Sequence, residues 1–231
     1  MTQPIIVFDL DGTLIDTAPD LLDSLNHCLE GVGIGPVNAS EIRRYVGFGS
    51  RVMIQRAFDA HGRSLAEGEL DRLQQIFLDH YTANMPGRSR PFVGVLASIA
   101  RFHEAGYLTA VCTNKYEGLS RQLLEALQMT ALFSAICGSD TFGHRKPDPR
   151  HLTDTIAMAG GDPERAVMIG DSRTDIDTAK AAGIPVVAVD FGYTDQPVQV
   201  FEPSRVISHF DELTVELAQK LILASQGHAV S

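Results

Sequence analysis

The chain has 231 residues, with 19 Lys+Arg against 29 Asp+Glu for a formal net charge of −10 at pH 7. Hydrophobic residues make up 44% and charged residues 21%, ordinary for a globular protein in water. This acidity excludes a nucleic-acid partner, which needs clustered Lys and Arg, and no apolar run approaches the roughly 20 residues that span a bilayer, so no membrane partner is expected either. Met1–Ile6 has neither the basic start nor the long apolar stretch of a signal peptide. Cys28, Cys112 and Cys137 form neither a close pair nor a metal-ligand spacing, so the expected setting is the reducing cytoplasm.

In chain order, the first element is a buried strand at Ile5–Phe8. From Thr17 to about Gly87 there is no strand pattern, only helical stripes. One runs through Leu21, Leu25, Leu29 and Val32, with Thr17 as N-cap and Pro19 in the first turn; another runs through Leu70, Leu73, Phe77 and Tyr81 and ends at Pro86–Gly87. Beyond Pro91 strands and helices alternate. A stripe at Leu96, Ile99 and His103 precedes a strand at Leu108–Cys112; a stripe at Leu119, Leu123 and Leu127 precedes one at Ser134–Cys137. Leu152, Ile156 and Ala159 lead to strands at Ala166–Ile169 and Pro185–Val189, a weaker strand at Arg205–Ser208, and a last stripe at Leu213, Leu217 and Leu221. Continuous apolar strands alternating with helices predict an α/β fold, a parallel sheet covered on both faces. The helical block at 17–87 interrupts it as an inserted second domain, entered near Asp16 and left near Pro91.

Chemistry gathers where strands end. The first runs into Phe8-Asp9-Leu10-Asp11-Gly12-Thr13, at the end of the sheet where open α/β folds place ligands. Two carboxylates about 4 Å apart repel by roughly 4 kcal/mol at an effective dielectric near 20, so a cation or a proton must intervene. Gly170-Asp171-Ser172-Arg173-Thr174-Asp175 repeats the pattern after a later strand. Ser172 and Asp175 read as a capping box, which leaves Asp171 unexplained. Carboxylate oxygens without His or Cys describe a hard-cation site, Mg²⁺ rather than Zn²⁺. Thr113-Asn114-Lys115, at a strand-to-helix turn, suits a phosphoryl group, although Thr or Asn is also a common helix cap. Lys146 is one of only four lysines, with Lys115, Lys180 and Lys220, and Pro147 and Pro149 stiffen its surroundings.

In this order, Asp9-Leu10-Asp11-Gly12-Thr13, Thr113-Asn114, Lys146-Pro147 and Gly170-Asp171-Ser172 with Asp175 closely resemble the four motifs of the haloacid dehalogenase superfamily of phosphohydrolases. The resemblance covers essentially the whole chain. It implies a Rossmann-like core at 1–16 and 88–231 with an inserted all-helical cap domain at 17–87. It further implies Asp9 as nucleophile, forming an aspartyl-phosphate, and Asp11 as the acid and then the base. Asp9, Asp11 through its main-chain carbonyl, and Asp171 would hold Mg²⁺, with Asp175 at the metal site orienting a water or Lys146. Thr113, Asn114 and Lys146 would bind and stabilise the phosphoryl group.

Dehalogenating members lack an acid at the position of Asp11, and sugar-phosphate mutases usually carry one at the position of Gly170, so the pattern here is that of a phosphatase. Asp16-Thr17-Ala18-Pro19-Asp20-Leu21, Tyr45-Val46-Gly47-Phe48-Gly49, Gly170–Gly183 and Phe191-Gly192-Tyr193 are similar to the phosphoglycolate phosphatases. That similarity implies a small phosphorylated metabolite as partner, contacted in the cap by Gly47, Gly49 and Arg51, the last pairing with a substrate carboxylate. A sugar-phosphate phosphatase, a β-phosphoglucomutase-like phosphotransferase and a non-catalytic binding protein of the same fold are the alternatives. The chain would act as a monomer or homodimer.

Overall fold

The computed structural model describes residues 2–42, 46 and 49–227. Strand β1 (Gln3–Phe8) leads through a tight turn to a two-residue strand, β2 (Ile15–Asp16), and then to helices α1 (Ala18–Glu30), α2 (Ala39–Ile42), α3 (Ser50–Ala60) and α4 (Glu69–Asn84). A second short strand, β3 (Arg90–Pro91), follows and pairs antiparallel with β2, Ile15 opposite Pro91 and Asp16 opposite Arg90. The chain then alternates: α5 (Val95–Glu104), β4 (Leu108–Cys112), α6 (Glu117–Ala126), β5 (Ala135–Cys137), α7 (Pro149–Ala159), β6 (Gly161–Gly170), α8 (Arg173–Ala181), β7 (Val186–Val189), β8 (Arg205–Ile207) and α9 (Val215–Gly227). None of the described helices is long and apolar enough to cross a membrane.

Six strands form one parallel sheet in the order β5-β4-β1-β6-β7-β8. Alternation of side chains along each strand sorts the apolar residues onto two faces. Ile6, Phe8, Val111, Ile169 and Val187 pack with Val95 and Ile99 of α5, Leu123 of α6 and Ile222 of α9. Ile5, Val7, Ala110, Cys112 and Met168 pack on the other face with Leu152 and Ile156 of α7 and Ile176 of α8. Both faces are dry, which is why β1 reads as an unbroken apolar run rather than an alternating one. Cys112 and Cys137 are buried in this packing, and burial pushes the Cys112 thiol up to about 12, so it is core rather than a nucleophile.

The helices between β2 and β3 have a core of their own, in which Leu21, Leu25 and Leu29 of α1 meet Met53 and Phe58 of α3 and Leu73, Phe77 and Tyr81 of α4. Two outer helices depart from the predicted stripes by one position. Leu96 is 52% exposed while Val95, Ile99 and Phe102 face the sheet, and Ala218 and Ile222 are buried while Leu217 and Leu221 lie at the edge. In each case the sheet selects the face, and the small or branched neighbour fits against it more closely than the leucine.

Candidate active site

From β1 the chain builds outward to β4 and β5, then returns to β6 on the opposite side, so β1 and β6 flank the point where strand order reverses. Side chains just past these two strands meet in the crevice this reversal opens. Asp9 is the first residue beyond β1, and its N–H donates to the Ile169 carbonyl at 2.9 Å, carrying the sheet's hydrogen bonding up to the carboxylate. Carboxylate oxygens of Asp9, Asp171 and Asp175 lie within 4.8 Å of one another, and all three residues are buried. Lys146 reaches in from the loop before α7, its Nζ 2.9 Å from Asp9 Oδ1 and 2.5 Å from Asp175 Oδ1.

Three acids around one ammonium leave a buried surplus of negative charge. Burial, reinforced by Asp175 and Asp11 and opposed by Lys146, pushes Asp9 up to about 6. Burial and then the charges of Asp175 and Asp9 hold Asp171 well above the usual carboxylate range. Lys146 moves the other way: burial alone would lower it, but attraction to Asp175 and Asp9 prevails and raises it. A divalent cation would relieve this imbalance, and a donor set made only of carboxylate oxygens suits Mg²⁺.

The geometry around each acid differs. Asp171 accepts from Thr13 Oγ1 at 3.1 Å and from the Tyr193 N–H at 2.5 Å. Its cradle has no room for neighbouring side chains: a Cβ at Gly12, where φ is +85°, would lie 2.3 Å from Asp171 Oδ2, and one at Gly192 would lie 2.2 Å from Asp171 Cβ. Asp175 completes the capping box that opens α8. Its Oδ2 accepts from Ser172 Oγ at 2.6 Å and from the N–H groups of Ser172 and Asp171 at 3.1 and 3.2 Å, while Oδ1 holds Lys146. Both oxygens of Asp175 therefore already have protein partners, whereas the capping box and the acidic cluster are one structure.

Asp11 stands apart from these three. Both its oxygens pair with Lys115 Nζ, at 3.1 and 3.2 Å, and the ammonium lies 4.4 Å from the centroid of the Tyr81 ring on α4. The motifs assign Lys115 no role of its own; the signal that marks it is the scarcity of lysine in a chain that prefers arginine. Thr113 Oγ1 accepts the Lys115 N–H at 3.2 Å, and Asn114 Nδ2 donates to the Lys146 carbonyl at 3.1 Å, tying the β4 turn to the Lys146 loop.

Above these residues a cleft of about 270 Å³ separates the sheet's edge from the helices. Asp9, Asp11, Thr113, Asn114 and Lys115 line one wall, and Gly49, Arg51, Met53, Phe77 and Tyr81 contribute to the other. Arg51 is about half exposed, its side chain 49% accessible; its guanidinium pairs with Asp71 and donates to Gln74 Oε1 at 2.9 Å. Gly47, expected beside Gly49, lies outside the described residues.

The sequence pattern described as haloacid dehalogenase-like hydrolase matches residues 6–189. A protein of Mesorhizobium japonicum named phosphoglycolate phosphatase is 67% identical over 228 residues, 99% of this chain and 100% of that one. One of the same name from Agrobacterium fabrum is 47% identical, covering 99% and 97%. A crystal structure of a predicted phosphoglycolate phosphatase from Haemophilus somnus superposes with a TM-score of 0.85 at 29% identity, over 92% of this chain and 97% of that one. With its motif residues gathered at one crevice and this likeness running nearly end to end, the chain belongs to the haloacid dehalogenase-like hydrolase family, as a phosphatase.

Proposed function

We propose that this chain is a Mg²⁺-dependent phosphomonoester hydrolase that acts through an aspartyl-phosphate on Asp9, with phosphoglycolate as substrate. The observation that carries the reading is the oxygen-only cluster of Asp9, Asp171 and Asp175, whose Asp9 lines a cleft that Asp11 lines as well. The substrate follows from the names of relatives as much as 67% identical. Asp9 and Asp171, with the Asp11 main-chain carbonyl, would hold Mg²⁺, and Asp175 would stand behind them. When bound, the ion would supply positive charge that admits an anionic phosphoryl group beside Asp9.

An Asp9 carboxylate oxygen attacks phosphorus, the bond to the leaving oxygen breaks, and Asp11 gives that oxygen a proton so that it departs as an alcohol. Asp11, now ionised, takes a proton from water, whose oxygen attacks phosphorus; the bond to Asp9 breaks and inorganic phosphate leaves. Because the Thr113 hydroxyl accepts from the Lys115 N–H, its own hydrogen is kept for a phosphoryl oxygen. Asn114 and Lys146 complete the electrostatic cradle. Glycine at 170 supports hydrolysis over sugar-phosphate mutation: a Cβ there would lie 2.3 Å from Asp175 Cβ, leaving no space for the acid that marks the mutases.

Residues 17–87 serve as a cap over the core formed by 1–16 and 88–231, hinged at the β2–β3 ribbon, and its closure excludes water from the acyl phosphate. Gly49 and Arg51 are its substrate-facing edge. Phosphate release from phosphoglycolate and a panel of phosphomonoesters, with Mg²⁺ and with chelator, tests the proposal. Phosphoglycolate is expected to be the preferred substrate, chelator to stop release, and Asp9→Asn to abolish turnover. No release from any ester, or undiminished turnover by Asp9→Asn, overturns it.

A further inference from the structure

Of the cations that line the cleft, one is buried and has no part in the hydrolytic scheme above. Lys115 lines the cleft, yet its side chain is only 6% exposed, with Asp11 on one side and the face of Tyr81 on another. Arg51 and Arg145, the other cations on the wall, are exposed, and Arg51 is engaged by Asp71 and Gln74. Lys115 is thus the deep cation of the cleft, where low dielectric and exclusion of water make an ammonium a strong ligand for an anion. We propose that Lys115 is the specificity residue for the leaving group: its ammonium takes the carboxylate of a two-carbon phospho-acid whose ester oxygen faces Asp11.

Spacing supports the assignment, which rests on the hydrolase reading above. The Nζ of Lys115 sits 3.1 and 3.2 Å from the two Asp11 oxygens. In an –O–CH₂–COO⁻ leaving group the ester oxygen and the nearer carboxylate oxygen are separated by three bonds, roughly 3 Å. The Asp11–Lys115 pair therefore matches such a group point for point, with a proton donor for the ester oxygen and, one hydrogen-bond length away, a cation for the carboxylate. Tyr81 brings the helical unit into the same contact, since its ring covers the ammonium from α4.

The test compares phosphoglycolate with ethyl phosphate, which has the same length and no carboxylate, in the Mg²⁺-supplemented enzyme. Lys115→Met is expected to lose about 10- to 100-fold in kcat/KM on phosphoglycolate, chiefly through KM, with a few-fold change on ethyl phosphate, the range for a lost charge-assisted hydrogen bond. Lys115→Arg is expected to recover part of the preference. Equal losses on both esters in Lys115→Met would show that Lys115 only holds Asp11 in place, and would overturn the proposal. So would a preference lost in Arg51→Ala and kept in Lys115→Met. One measurement needs no variant: by calorimetry, wild-type protein should bind 3-phosphonopropionate more tightly than propylphosphonate, and equal affinities refute the assignment. Absence of phosphate release from both esters by the wild type would instead bring down the hydrolase reading, and this inference with it.

Discussion

Gly170 shows how little freedom individual residues have in this site. Its missing side chain is what lets Asp175 lie against the end of β6, where a Cβ would stand 2.3 Å from Asp175 Cβ and 2.5 Å from its Cγ. From there Asp175 holds the Ser172 turn with one oxygen and Lys146 with the other. Gly170→Ala must therefore push the carboxylate away, at a cost of about 2 kcal/mol for forced overpacking. The expected outcome is a lower urea midpoint together with a drop in kcat/KM, because Lys146 loses one of its two anchors. A variant with unchanged midpoint and turnover would show that Asp175 does not position Lys146.

At the scale of elements, the start of α1 is held from outside its own sequence. Thr17 occupies the cap position, but its hydroxyl is buried without a partner. The Ala18 N–H donates instead to Tyr193 Oη at 2.8 Å, and that hydroxyl donates to Asp16 Oδ1 at 2.5 Å. One turn later Asp20 closes the other side of the ribbon, accepting from the Arg88 N–H at 2.7 Å, the Ser89 N–H at 3.0 Å and Ser89 Oγ at 2.5 Å. These contacts bind both crossings between the sheet and the helices. Asp20→Ala strands three donors at a largely buried position and is expected to lower unfolding free energy by about 3 kcal/mol, measured by denaturant titration. The same variant should raise KM more than it lowers kcat if the ribbon sets the rest position of the helices between β2 and β3.

At the scale of the whole molecule, part of the net charge of −10 lies in one buried cluster. Three buried carboxylates and one buried ammonium at the β1–β6 reversal leave an internal repulsion that a divalent cation would relieve. Metal should therefore stabilise the fold independently of catalysis. At free Mg²⁺ of 100 times its Kd the expected gain is about 2.7 kcal/mol, seen as a rise in Tm by scanning calorimetry. Asp171→Asn should erase most of that rise. A Tm indifferent to Mg²⁺ would mean that the cluster is satisfied by Lys146 and protonation alone.

Much of this was legible in the chain. Buried β-branched runs announced the parallel sheet because a strand covered on both faces must be apolar throughout. Asp9, Asp11, Asp171 and Asp175 could be picked out because each lies within a few residues of a strand end, where backbone geometry converts sequence order into spatial convergence, and Lys146 because lysine is scarce and Pro147 and Pro149 stiffen its surroundings. What sequence could not decide depends on contacts between residues far apart. Lys115 and Tyr81 meet across 34 positions, and Tyr193 caps a helix 175 residues before it. The one-residue rotation that hides Val95 and exposes Leu96 is likewise chosen by the sheet. Local pattern determined which elements form and which acids stand at their ends, since those follow from backbone dihedrals and side-chain alternation. Only tertiary packing decided how the charges are paired, because pairing in a buried site depends on distances of a few ångströms that no spacing along the chain encodes.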